Sequence, residues 1–214
     1  MPVKNDREYR AMPVMAEMRE EGAEPGYKVE GYASTFEPYL LFEEDGRKFY
    51  ERIERGAYDG ADMSDVLFLY NHEGQVMARQ KNGSLQLTVD DGGLHVVADL
   101  GGSARGREMA EEIRSGLIDQ MSFAFVVERD RIERDKDNGV VTRIIERMRK
   151  LYDVSAVSMP ANPTTSISAR SWVDGVIAED EAERLQREAE EQEAREQAER
   201  REALLAGLRG LHHV

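Results

Sequence analysis

Short apolar stretches separated by Gly-containing breaks dominate the chain from about residue 10 to residue 170. Residues 83–100 read GSLQLTVDDGGLHVVADL. Apolar and polar residues alternate on both sides of Asp-Gly-Gly, which predicts a β-hairpin. Residues 27–35, 65–72, 120–130 and 139–159 also have strand-like patterns. This region is therefore predicted to be mainly β.

Two segments of the same region have helical character. Residues 103–116 carry an apolar stripe, with Ser103 as a predicted N-cap and Gly116 as the left-handed residue that ends the helix. Residues 49–58 are predicted to form a short helix before Gly56. Six or more strands with interspersed helices predict an α+β fold, a β-barrel or sandwich decorated by a few helices.

The C-terminal part of the chain has a different pattern. Residues 176–209 consist almost entirely of Glu, Arg, Ala, Gln and Leu, and acidic residues precede Arg at i,i+4 spacing. Its apolar stripe is thin, so the helix can bury little surface. Residues 160–166, PANPTTS, mark the end of the compact region. We expect a domain over 1–172 and an acidic helical tail over 173–214, either solvated or bound to a partner.

Composition excludes several classes of function. The formal net charge is −14 with 34% charged residues, which disfavours binding to a phosphate backbone. Cysteine is absent, which excludes disulfides, thiolate metal sites and a cysteine nucleophile. No apolar run is long enough to span a bilayer, and the first residues lack an apolar signal core. These patterns indicate an intracellular protein that binds neither nucleic acid nor membrane.

Ser122 lies in the apolar run DQMSFAFVV, where a hydroxyl is unexpected. It alternates in phase with Ala124, while the bulky Met121, Phe123 and Phe125 face the other side. A small residue opposite an anchored face leaves room for a site. The pattern fits a nucleophile, a hydrogen-bonded core serine or an incidental small residue, and it lacks the Gly-x-Ser-x-Gly elbow of α/β-hydrolases.

A nucleophilic serine needs a base, and histidine is the usual one. His212 and His213 lie at the C-terminus, and His95 is out of phase with the apolar residues of its strand. His72 follows the apolar run VLFLY, at a strand end from which a side chain can reach a cleft. His72 is therefore the candidate base, with a lone structural histidine as the alternative.

An acid is needed to orient that imidazole. Asp153 interrupts an otherwise apolar strand, and a buried carboxylate is costly unless it is paired. Glu146 is the rival acid, but it lies among Arg and Lys residues typical of a solvated face. Metal and phosphate motifs are missing: the chain has no His-Glu-x-x-His, no P-loop and no spaced cluster of metal ligands.

The chain resembles the tailed-phage prohead (capsid maturation) serine proteases, which are related in fold to the herpesvirus assembly proteases. The resemblance runs from about residue 31 to residue 163. It rests on an ordered set of segments: GYASTF, FYERIERGAYDG, VLFLYNHE, NGSLQLTVDDGGLHVVADL, MAEEIRSGLIDQMSFAF and LYDVSAVSMPANP. The chain departs from the family pattern at two places. The segment after the histidine often carries Gly in the family, whereas this chain reads VMARQ. The Glu/Asp-Val-Ser pattern usually has Glu, whereas this chain has Asp.

The resemblance implies that His72, Ser122 and Asp153 are the catalytic residues. It implies a herpesvirus-protease-like β-barrel and no cofactor or metal. The implied activity is a serine endopeptidase that cleaves scaffold segments or extensions of the major capsid protein, and itself, during prohead maturation. The implied partners are the major capsid protein and scaffold segments, with self-association as a further option. The implied location is the immature capsid in the bacterial host cytoplasm.

Two alternatives remain from other classes. One is a non-catalytic capsid assembly or scaffolding protein on a protease-like fold. The other is a small β-barrel binding module with a helical tail. Both predict that no peptide bond is cleaved.

Overall fold

The computed structural model describes residues 7–15, 17–18, 26–158 and 167–210. Contacts divide the chain into two compact units, one from Pro2 to Ser171 and one from Trp172 onward. The first unit holds eleven described strands in two sheets, together with one α-helix. The predicted mixture of strands and helices is therefore confirmed, whereas the barrel remains a prediction.

The larger sheet has seven strands. They are β1 (Glu8–Met15), β4 (Tyr39–Glu44), β5 (Arg47–Ile53), β6 (Leu67–Tyr70), β7 (Glu73–Arg79), β10 (Gln120–Asp135) and β11 (Val140–Val157). Their order is β1-β10-β11-β5-β4, and β6 pairs with both β11 and β7. The long β10–β11 hairpin is thus the centre of the sheet, with β1 at one edge.

The smaller sheet has four strands in the order β2-β3-β9-β8. They are β2 (Glu17–Met18), β3 (Lys28–Thr35), β8 (Leu85–Val89) and β9 (Gly93–Asp99). The predicted β8–β9 hairpin is confirmed. Its turn is closed at Asp90, whose backbone N–H donates to the carbonyl oxygen of Gly93 and whose carboxylate accepts from the N–H of Gly92.

Helix α1 (Ala104–Arg114) confirms the prediction for residues 103–116. The Ser103 hydroxyl accepts a hydrogen bond from the Gly106 N–H, as expected of an N-cap. Gly116 has a φ of +72°, the left-handed conformation predicted for the end of the helix. Met109, Ala110 and Ile113 are buried in one apolar cluster with residues of both sheets.

The predicted helix over residues 49–58 is wrong. The chain forms strand β5 up to Ile53 and then a 3-10 helix from Arg55 to Tyr58; a second 3-10 helix spans Gln80–Asn82. Phe49, Glu51 and Ile53 are fully buried, a period of two that belongs to a strand. The charged Glu51 concealed this period in the sequence, because its burial depends on partners far away in the chain.

The second unit consists of helix α2 (Ile167–Gly210), whose first residues belong to the other unit. Residues 181–202 are exposed throughout, as expected from the thin apolar stripe. Arg195 pairs with Glu191 at i,i+4 spacing. The boundary motif at 160–166 lies outside the described residues. Within the described part of the chain, no helix has the length and apolarity required to cross a bilayer.

Candidate active site

His72 lies in the two-residue turn between β6 and β7, which is closed by the pair Tyr70–Glu73. Both turn residues have positive φ, +50° for Asn71 and +62° for His72. Positive φ at both central positions is the requirement of a type I′ hairpin turn, whose twist matches that of the flanking strands. Positive φ is uncommon outside glycine, and such residues concentrate at functional sites. The hairpin thus holds the imidazole at its tip.

The same turn is tied to the end of β11. The Asn71 backbone N–H donates to the carbonyl oxygen of Ala156 at 3.0 Å. The Asn71 side chain accepts from the backbone N–H of Ser158 at 3.1 Å and donates to its hydroxyl at 3.3 Å. These bonds hold the histidine turn against the strand that carries the candidate acid.

Ser122 and Asp153 lie on the central hairpin. Ser122 on β10 faces Ser155 on β11, and Ala124 faces Asp153, so the serine and the aspartate are on the same face of the sheet. Phe123 points to the opposite face, where it stacks on Phe125 in the apolar core with ring centroids 4.7 Å apart. The bulky residues therefore anchor the strand, as their alternation in the sequence predicts.

The three candidate residues form one chain of hydrogen bonds. His72 Nε2 lies 2.6 Å from Ser122 Oγ, and His72 Nδ1 lies 2.6 Å from Asp153 Oδ1. The side chains of His72 and Asp153 are only 13% and 2% exposed, so water screens their interaction weakly. Because a carboxylate can only accept, Nδ1 carries a proton, which leaves Nε2 of a neutral imidazole free to accept one.

Ser155 is a fourth member of this group that the sequence did not single out. Its hydroxyl donates to Asp153 Oδ1 at 2.8 Å and lies 3.3 Å from His72 Nδ1. It is fully buried. A hydrogen bond from a buried hydroxyl fixes the direction of the carboxylate. The spacing Asp-Val-Ser, which puts both side chains on one face of a strand, was the available signal.

Two residues of β1 also contact the site, and the sequence did not point to them. The Tyr9 ring meets the His72 ring edge-on, with centroids 4.7 Å apart. The backbone carbonyl of Arg10 accepts a hydrogen bond from Ser122 Oγ at 2.9 Å. Ser122 is fully buried under these contacts. No local motif could indicate them, because more than 110 positions separate Arg10 from Ser122.

The other sequence candidates lie in different surroundings. His95 is on β9, in the smaller sheet, where it packs against the Tyr32 ring. Glu146 pairs with Arg129 at 2.7 Å and with Arg131 at 3.0 Å. His212 and His213 lie outside the described residues. In the described ranges, no cluster of three or more His, Asp or Glu side chains is arranged to hold a metal ion.

A cleft of about 440 Å³ opens beside the histidine turn. Its lining includes the apolar side chains of Tyr70 and Met77 and the charged side chains of Glu73 and Arg105. Since Glu73 directly follows His72, the cleft borders the candidate site.

Comparisons with known proteins identify the family. A search of curated proteins and a search of solved structures each gave no match. The family described as caudovirus prohead serine protease matches residues 14–176, which is well over half of the chain and includes all three candidate residues. The chain therefore belongs to the family of caudovirus prohead serine proteases.

Proposed function

We propose that the protein hydrolyses peptide bonds with Ser122 as nucleophile, His72 as general base and Asp153 as the acid that orients the imidazole. The observation that carries this proposal is the unbroken hydrogen-bond chain from Ser122 Oγ through both ring nitrogens of His72 to Asp153 Oδ1. Nucleophile, base and orienting group in this order are the requirements of serine-protease chemistry.

In the acylation step, Ser122 Oγ attacks the scissile carbonyl carbon while His72 Nε2 takes the hydroxyl proton. Asp153 stabilises the resulting imidazolium through the Nδ1–H bond. His72 then gives the proton to the leaving amine nitrogen, and the C–N bond breaks. The product is an ester between Ser122 and the acyl half of the substrate.

Deacylation repeats the sequence with water. His72 Nε2 takes a proton from a water molecule, whose oxygen attacks the ester carbon. The proton returns to Ser122 Oγ as the ester bond breaks. Ser155 keeps the Asp153 carboxylate aimed at the imidazole through both half-reactions. The cleft beside His72 is suited to substrate side chains next to the scissile bond.

The substrates that we propose are scaffold segments or extensions of the major capsid protein, together with the chain itself. The family membership supports this assignment, and we propose that the protein acts inside the immature capsid in the bacterial host cytoplasm. A herpesvirus-protease-like barrel is the fold that we propose for residues 1–172. No cofactor takes part in the steps above.

The test compares wild type with Ser122→Ala, each co-expressed with the major capsid protein of the same virus. Intact-mass measurements report cleavage of both chains. We expect processed products from wild type and none from Ser122→Ala. Ser115→Ala is the matched control, because Ser115 is an exposed serine at the end of α1 whose hydroxyl donates to the carbonyl oxygen of Glu112. Products that persist in Ser122→Ala would exclude Ser122 as nucleophile and favour the assembly-protein alternative.

We further propose that the acidic helical tail tethers the protease to scaffold or capsid subunits and is removed afterwards. Its exposed, charged surface over residues 181–202 supports a partner-binding role. Deletion of residues from 181 onward spares the buried Trp172, Val173 and Val176. The truncated protein should retain protease activity but be missing from purified proheads. Normal incorporation of the truncated protein contradicts the tether.

A further inference from the structure

The candidate nucleophile is closed off by strand β1. Ala11 lies opposite Ser122 in the β1–β10 ladder, Tyr9 covers the imidazole, and Ser122 has no exposed surface. In a productive complex the scissile carbonyl carbon must approach Oγ to about 3–3.5 Å. A substrate cannot reach that position while β1 remains in place.

Strand β1 also diverts the proton that catalysis needs. Ser122 has one hydroxyl hydrogen but two acceptors within reach, His72 Nε2 at 2.6 Å and the Arg10 carbonyl at 2.9 Å. When the hydrogen points to Arg10, Oγ bonds Nε2 only if Nε2 itself carries a proton. His72 is then an imidazolium and cannot act as a base. The Arg10 carbonyl therefore competes with the general base.

The position of β1 permits its removal. Among the described strands it pairs with β10 alone, at the end of the seven-stranded order. Its departure would therefore leave the remaining six strands paired. The family match begins at residue 14, so most of β1 precedes the matched region.

The anchor of β1 is a largely buried cluster of five charges, two on β1 and three outside it. Within β1, Arg10 Nη2 contacts Glu8 Oε2 at 2.6 Å. Outside β1, Arg143 contacts Glu51 at 3.0 Å and Asp130 at 2.6 Å. The two groups are joined by Arg10–Glu51 at 2.6 Å and Arg143–Glu8 at 2.7 Å.

After separation of the two groups, Arg143 is the one cation for two carboxylates, and Glu51 also keeps the hydrogen bond from the Tyr39 hydroxyl. Glu8 and Arg10 leave as a neutral pair that regains hydration, and Arg143 keeps its two carboxylate partners. Rehydration of Glu8 and Arg10 offsets part of the attraction that is lost, because desolvation is the main cost of a buried ion pair. This anchor specifies the register of β1 and still allows its release.

We propose that β1 is a removable cover that occupies the substrate position, and that an extended peptide segment replaces it along Gln120–Phe125 of β10. The substrate strand runs antiparallel to β10, as β1 does, and its main chain takes over the hydrogen bonds of the freed edge. Its scissile carbonyl comes to the place now held by the Arg10 carbonyl. This inference rests on the proposed function.

The test locks β1 with a reversible crosslink. Tyr9 and Ala124 are cross-strand partners, and the chain contains no cysteine, so Tyr9→Cys with Ala124→Cys creates one defined thiol pair. Directly opposed residues have Cα atoms about 4.5–5.5 Å apart, within the range that a disulfide spans. Oxidation closes the lock and a reductant opens it in the same protein.

Phosphonylation of Ser122 by a fluorophosphonate probe, followed by intact mass, reports access to the nucleophile. We expect the oxidised lock to react roughly a hundredfold more slowly than its reduced form, since each 1.4 kcal/mol of stabilisation of the closed state is a factor of ten. Tyr9→Cys and Ala124→Cys alone should be insensitive to oxidant. Equal rates for the oxidised and reduced lock overturn the proposal.

A release variant tests the anchor independently. Glu8→Gln with Arg10→Gln removes both charges of β1 and leaves Arg143 paired with Glu51 and Asp130. We expect this variant to react with the probe roughly tenfold faster than wild type. A slower reaction in a folded variant overturns the role of the anchor. Ser122→Ala must not react in either experiment. If the reduced lock, the release variant and wild type all fail to react, the proposed function itself fails.

Discussion

Replacement of Asp153 by Asn tests the orienting role of the carboxylate. Asp153 Oδ1 accepts from His72 Nδ1 at 2.6 Å and from the Ser155 hydroxyl at 2.8 Å. Loss of the charged hydrogen bond alone removes about 1.5–3 kcal/mol, which at 1.36 kcal/mol per tenfold is roughly a 10- to 150-fold loss.

The amide of the variant adds a second effect. When its N–H₂ group faces His72, Nδ1 must accept and the ring proton moves to Nε2. Nε2 then donates to Ser122 and cannot take its proton. In serine-protease triads this tautomer reversal brings the loss to about 10⁴-fold in kcat. We therefore expect Asp153→Asn to lower kcat by roughly 10³- to 10⁴-fold with the fold unchanged.

The assay measures kcat for cleavage of a capsid-protein peptide, together with thermal unfolding to establish that the variant is folded. Glu146→Gln is the matched control, because Glu146 is the rival acid and pairs only with Arg129 and Arg131 among its described ion-pair partners. It should change kcat less than about twofold, as expected for partly exposed ion pairs. A loss below tenfold in Asp153→Asn, or a larger loss in Glu146→Gln, would refute the assignment.

Three further predictions follow from the buried polar groups. Ser155→Ala should lower kcat roughly 10- to 100-fold with KM unchanged, and Ser155→Thr should retain most activity. Ser115→Ala, at an exposed serine of α1, should have no effect, and an effect of Ser155→Ala on KM alone contradicts a positioning role. Glu51→Ala, which breaks the buried pair with Arg10, should lower the free energy of unfolding in urea by about 3–5 kcal/mol. Glu54→Ala, the control in an exposed pair, should lower it by less than about 1 kcal/mol. Equal losses would mean that the buried cluster does not stabilise the fold. Burial raises the pKa of Glu8, but Arg10 and Arg143 outweigh it and lower that pKa from 4.5 to about 2. Because the pKa is lower in the folded state, the ionised Glu8 stabilises the protein above pH 4.5, and this contribution is lost as the pH falls toward 2. Glu8→Gln should therefore remove about 3 kcal/mol from the decrease in the free energy of unfolding over this pH range. An unchanged dependence of the unfolding free energy on pH refutes that linkage.

The candidate site could be selected from the sequence because few residues were eligible. With no cysteine and four histidines, the choice of base narrowed to His72, and the alternation around Ser122 indicated an anchored strand. In the structure His72, Ser122 and Asp153 lie in one hydrogen-bond chain. Their catalytic roles remain predictions. Ser155 was within reach of the same reasoning, because residues two positions apart on a strand share a face.

By itself the sequence determined the secondary-structure elements that are specified by interactions between residues close together in the chain. The β8–β9 hairpin follows from its turn residues, and helix α1 follows from its N-cap and its left-handed glycine, because these interactions join residues a few positions apart. Only the tertiary structure decided that Glu51 is a core residue of a strand and that β1 lies over Ser122. The physical reason is that these features depend on partners distant in the chain: Arg10 for Glu51 and Ser122, and Arg143 for Glu8 and Glu51. A charged residue that is buried cannot be distinguished from a surface one in the sequence, because its burial depends on a partner that the sequence does not identify.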